Sequence, residues 1–86
     1  MTFRRQVVER LEAVLSGEQQ PEELTGATSV RAAVGLVLGR LEGITTLSEK
    51  QAWDYLDDGN VRLVRGLRND FADRVQQYNR RRKELA

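Results

Sequence analysis

Eighty-six residues, 40% of them apolar and 31% charged, make one domain at most and are too apolar for intrinsic disorder. A chain this short buries only a little over ~60% of the surface its unfolded form exposes, so its own core is marginal. With no cysteine, neither a disulfide framework nor a thiolate metal site can support that core, which leaves close helix packing and self-association.

Taken in chain order, the apolar spacing predicts an all-α fold, a small bundle of three to four helices with a long C-terminal helix. Helix one is expected over 3–16, with Thr2 as N-cap and Gly17 where a left-handed residue ends it. Phe3, Val7, Leu11 and Val14 fall on its buried side. Residues 18–29 form a connector in which Pro21 opens one helical turn and Gly26 closes it. Helix two is expected over 29–42, started by Thr28 or Ser29 and ended by Gly43-Ile44. Helix three covers 47–58, with a capping box from Ser48 and Gln51 or from Thr46 and Glu49. Asp57-Asp58-Gly59-Asn60 reads as a break or sharp kink, although the apolar spacing of Trp53, Leu56, Leu63 and Leu67 passes through it nearly in phase. Helix four runs over 60–84, about 37 Å long. It outreaches the other elements, so its basic end is expected to project. The whole chain, 1–86, is expected to be a single domain.

Near the N-terminus Arg4, Arg5, Glu9, Arg10 and Glu12 leave no apolar signal-peptide region. The most apolar stretch, within 30–44, is interrupted by Arg31, Arg40 and Glu42 and is too short to cross a bilayer. A cytoplasmic protein with no membrane association is the expectation.

Chemistry is poorly provided for. No histidine is present, so the commonest general base and metal ligand is missing, and there is no cysteine nucleophile. Gly35 and Gly39 lie inside a predicted helix, and no glycine-rich loop precedes a lysine to hold phosphates. Asp54, Asp57, Asp58 and Asn60 around Gly59 suggest a calcium loop, but its third and twelfth positions would be Leu56 and Arg65, which cannot supply the oxygens required. No catalytic residue, metal, cofactor or small-molecule substrate is expected.

Net charge is +1 but uneven. Residues 62–83 carry eight cations against two acids, and twelve of the fourteen basic residues are arginine. Arginine favours planar contacts to phosphate or carboxylate; a GC-rich coding preference accounts for the bias equally well.

Three features could carry binding. The first is a stripe of small residues on helix two: Ala32, Gly35, Gly39 and Gly43. Each interior glycine costs ~1 kcal/mol relative to alanine, so the stripe suggests a close helix crossing, either within the chain against helix four or with a partner subunit. The second is helix four itself, where Leu63, Val64, Leu67, Phe71, Val75 and Tyr78 make an apolar stripe. Roughly opposite lie Arg62, Arg65, Asn69, Gln76, Arg80 and Lys83, a strip that could track a phosphate backbone or could be a solvated face. The third is the cluster Arg80-Arg81-Arg82-Lys83, which wraps the helix without defining a face. A helix-turn-helix reading fails on charge: its recognition helix, 48–58, would set Lys50 against Glu49, Asp54, Asp57 and Asp58, and DNA repels that sign.

In size, arginine bias and the helical end Gln77-Tyr78-Asn79-Arg80-Arg81-Arg82, the chain resembles small helical proteins encoded by bacteriophages of GC-rich hosts, virion components and accessory factors among them. That resemblance implies assembly, with the virion as the alternative to the cytoplasm, and assigns no residues. The expected function is therefore a non-catalytic assembly or interaction protein, self-associating or docked on a larger protein. The alternative is a nucleic-acid-binding accessory protein using the basic strip.

Overall fold

The computed structural model describes residues 2–85, with side chains placed as far as Lys83; Met1 and Ala86, the ends of the expected domain, lie outside the described residues. Thr2 is extended and its hydroxyl accepts the Arg5 N–H at 3.2 Å, satisfying one of the orphan donors of the first helix. That helix, α1 (Phe3–Leu15), buries Val7, Leu11, Val14 and Leu15 along one face. Gly17 then takes φ 84° and turns the chain into a single 3-10 turn, Pro21–Glu23.

The next helix, α2 (Thr28–Leu38), is the axis of the molecule. Val30 and every residue from Ala32 to Leu38 are buried. A helix that is apolar all round belongs inside, and α2 is indeed enclosed by the first helix and by two described below. The sequence pattern ran this helix on to 42, but it stops at Leu38. Gly39 adopts φ 75°, and the Arg40 N–H donates back to the Gly35 carbonyl at 2.9 Å, the six-residue closure of a Schellman ending. Leu41 folds over the helix end. A Cβ placed on Gly35 would stand 2.7 Å from Leu41 Cδ2 and 3.0 Å from the Arg40 carbonyl oxygen. Gly43, at φ 82°, then closes a second turn that buries Ile44.

Ser48 and Gln51 form a reciprocal capping box, at 3.2 and 2.9 Å, that starts α3 (Glu49–Tyr55). The break expected in the aspartate run is a helix start. Asp57 Oδ1 accepts the Asn60 N–H at 2.8 Å, and α4 (Asp58–Asp70) begins at once, with Gly59 and Asn60 in its first turn.

Where one long helix was predicted over 60–84, two are found. Phe71, at φ −102° and ψ 6°, separates α4 from α5 (Ala72–Leu85). A straight helix over 58–85 would measure about 42 Å, longer than the 35 Å long axis of the molecule. The chain bends instead, because half-buried Phe71, Val75 and Tyr78 stay against the core. The basic end therefore does not project; α5 packs on α1. The result is all-helical, with five α-helices and no strand among the described residues. Its radius of gyration, 12.0 Å, equals the ~12 Å of a compact domain of this length.

Candidate interaction surface

Packing against α1 lays α5 across the carboxyl ends of α1 and α2. Arg81 Nη2 donates to the carbonyl of Leu15, the last residue of α1, and Asn79 Nδ2 donates to that of Leu38, the last of α2, each at 3.4 Å. Helix carboxyl ends carry unpaired carbonyls and partial negative charge, so part of the polar character of α5 serves the fold. Arg74 adds a bidentate pair to Glu12 at 2.9 and 2.7 Å. The hydrogen bond from Arg74, reinforced by its charge, holds the Glu12 carboxyl below the ordinary carboxylate range, and the same bond raises Arg74 further. Tyr78, partly buried on the inner side of α5, has its phenol pushed up, chiefly by desolvation.

On the flank that α4 and α5 turn toward the end of α2 runs an open groove of about 540 Å³. Its floor is apolar: Val37, Leu38, Gly39, Ala72 and Val75. Its rim is cationic and amide: Arg68, Gln76, Asn79, Arg80 and Lys83. No acidic side chain contributes to that lining among the described residues. Arg68 also borders an adjoining hollow with Gly35, Arg40 and Glu49, and its guanidinium lies 5.7 Å from the Trp53 ring centroid.

The groove takes up only part of the basic strip read from the sequence. Gln76, Arg80 and Lys83 reach the groove, whereas Arg62, Arg65 and Asn69 are exposed on α4 outside its lining. Arg65 stands 5.8 Å from the Trp53 ring. Arg81 and Arg82 face a different, smaller cleft of about 210 Å³ beside Val14, Leu15 and Tyr78. There the Arg82 guanidinium sits 5.7 Å from the Tyr78 ring.

The expected packing residues also separate. Ala32 and Leu67 are in the core, and Phe71, Val75 and Tyr78 are half-buried against it. The glycine stripe makes no close helix crossing. Gly35 is small to admit Leu41 from the chain's own turn, and Gly39 is an exposed cap with nothing within 4 Å of where its Cβ would be.

Sequence reading missed Arg68. The signal was present, since Arg68, Ala72, Gln76, Asn79, Arg80 and Lys83 recur at three- and four-residue steps, but the strip was centred about 40° further round the helix.

Among the described residues no helix is long and apolar enough to cross a membrane, and no group of three or more His, Cys, Asp or Glu is placed to hold a metal ion. No family model, no curated protein and no solved structure matches the chain.

Proposed function

We propose that the chain is a non-catalytic interaction protein whose groove at the α2–α4–α5 junction docks an acidic protein segment carrying an apolar or aromatic side chain. The observation that supports this reading is the pairing of an apolar floor with a rim of Arg68, Arg80 and Lys83. A phosphate backbone offers charge without the apolar atoms that would cover Ala72 and Val75. An apolar anchor flanked by carboxylates satisfies both parts, with the floor supplying affinity and the guanidinium groups supplying register and encounter rate. An assembly role, as a virion or accessory component, is in keeping with the resemblance to small bacteriophage proteins.

The nucleic-acid reading draws on exposed Arg62, Arg65 and Arg68 along α4. It is the weaker of the two, since it leaves the apolar surface beside Arg68, Arg80 and Lys83 without an occupant.

One titration separates them: a random glutamate–tyrosine copolymer, polyglutamate, and a short DNA duplex, each at about 50 and 200 mM salt. Tighter binding of the copolymer than of polyglutamate, lost in Arg68→Glu/Arg80→Glu, supports the docking reading. Preference for the duplex, with a steep negative salt slope, supports the other.

A further inference from the structure

The groove needs an acidic occupant with an apolar anchor, and the chain itself carries one. Segment 49–58 sets Lys50 against Glu49, Asp54, Asp57 and Asp58, all exposed. Within it Tyr55 is 55% exposed, the one large hydrophobic side chain among the described residues left that open to solvent. An aromatic held in water between carboxylates is the complement of an apolar floor held between guanidinium groups.

Tyr55 does not line the groove of its own copy. Trp53 on α3 faces α4, with the Arg65 and Arg68 guanidinium groups 5.8 and 5.7 Å from its ring. Tyr55 follows about 200° further round the helix, so it points away from the side on which α4 lies. Asp57 is committed to the α4 N-cap through Asn60, which leaves exposed Asp54 and Asp58, flanking Tyr55 in sequence, as the carboxylates offered to a partner. Tyr55 is therefore presented to solvent.

Resting on the docking reading above, we infer that the partner is a second copy of this chain. Tyr55 of one molecule enters the groove of the next and covers Ala72 and Val75, while Asp54 and Asp58 meet Arg80 and Lys83. The two patches differ, so the contact is head-to-tail and each added copy presents a fresh knob and a fresh groove; such a series closes into a ring or grows as a filament. The net charge of +1 opposes association very little.

Analytical ultracentrifugation of the full chain over a concentration series, at low and high salt, provides the test. The wild type is expected to grow in mass with concentration and to shrink as salt rises. A knob variant, Asp54→Lys/Tyr55→Ser, and a groove variant, Arg68→Glu/Arg80→Glu, alter only exposed side chains. Each should lose self-association by roughly thirtyfold or more, the size of a hot-spot loss. Mixed in equal amounts, the two variants should form a dimer and nothing larger, because only one intact knob and one intact groove remain to be joined. That dimer would also show that both variants are folded. A wild type that stays monomeric throughout, or a mixture that does not dimerise while both variants keep the wild-type circular dichroism, overturns the inference. If the monomeric wild type still binds the glutamate–tyrosine copolymer through Arg68 and Arg80, the docking reading survives and only the second copy is refuted. Loss of copolymer binding as well removes both.

Discussion

Arg74 grips both carboxylate oxygens of Glu12 across 62 positions of sequence, at 2.9 and 2.7 Å. It is the longest-range ion pair described, and it joins α5 to α1 at a place where α5 contributes no fully buried residue. Both side chains are nearly half exposed, so solvent screening limits the pair to about 1 kcal/mol or less.

That pair sets a pH dependence. The Glu12 carboxyl is depressed, so the folded state binds its proton less readily than the unfolded state. Its stabilising effect is present above about pH 4.3, the ordinary glutamate value, and is lost as pH falls through the lower folded value. Glu12→Gln should therefore melt a few degrees below wild type at neutral pH, given about 4–8 °C per kcal/mol for a domain of this size. The two melting curves should converge in acid. A gap that persists unchanged at the acid end would mean that Glu12 acts through packing and not through its charge.

Two helical glycines should respond in opposite directions to one substitution. Gly66 lies exposed inside α4 with open space where a Cβ would go. Gly66→Ala removes a helix-propensity cost of about 0.8–1 kcal/mol, and should raise the melting temperature. At Gly35 the new methyl meets Leu41 Cδ2 at 2.7 Å and the backbone oxygen of Arg40 at 3.0 Å. Overpacking of this kind costs about 1–3 kcal/mol, more than alanine returns in propensity, so Gly35→Ala should destabilise. Adding Leu41→Ala should restore part of that loss, measured as non-additivity in a double-mutant cycle. Additive losses at the two sites would show that Gly35 and Leu41 do not touch.

Local signals in the sequence located most helix ends, and tertiary packing decided the rest. Thr2, Ser48 with Gln51, and Gly17 act within one turn of chain, and all three are found at helix ends. Gly39 and Gly43 are both left-handed and both near the end of an apolar run. Choosing between them required knowing that Leu41 would close over Gly35, a contact that spacing alone does not reveal. The aspartate run was legible as a break, but which aspartate caps depends on Asp57 reaching the Asn60 N–H. The bend at Phe71 was not legible at all, because no proline or glycine marks it. It arises because the apolar stripe through Phe71, Val75 and Tyr78 has to stay in contact with a body shorter than the helix. The docking of α5 decides the candidate surface, bringing Arg80 and Lys83 to a groove that Arg62 and Arg65 do not line.

Tyr78 supplies the alkaline counterpart to Glu12. Its phenol is pushed up, mainly by desolvation and partly by Glu22, against the opposing effect of Arg40 and Arg81. The unfolded state therefore loses the Tyr78 proton first as pH rises, so the stability this group contributes is full below about pH 10 and declines above it. Tyr78→Phe cannot ionise. Its melting temperature should fall less steeply above pH 10 than that of wild type, with the difference between the two curves isolating Tyr78 from the lysines. Parallel curves would place Tyr78 in water in the folded state, and with it undo the docking of α5 on α1.

Trp53 offers a direct readout of the groove. It is the only tryptophan in the chain, and Arg68, whose guanidinium lies 5.7 Å from its ring, is also part of the groove rim. An anionic group seated on the rim draws that guanidinium toward itself, changing both the cation near the indole and the water around it. Excited selectively, Trp53 should change its emission as the glutamate–tyrosine copolymer or a second copy binds, and the change should saturate with the binding curve. Arg68→Gln should remove most of the optical signal while weakening binding only in part, since Arg80 and Lys83 remain. Arg62→Gln, on the same helix but outside the lining, should alter neither. Equal effects from the Arg62 and Arg68 substitutions would mean that binding follows the overall charge of α4, which is the behaviour of a nucleic-acid strip and not of a groove.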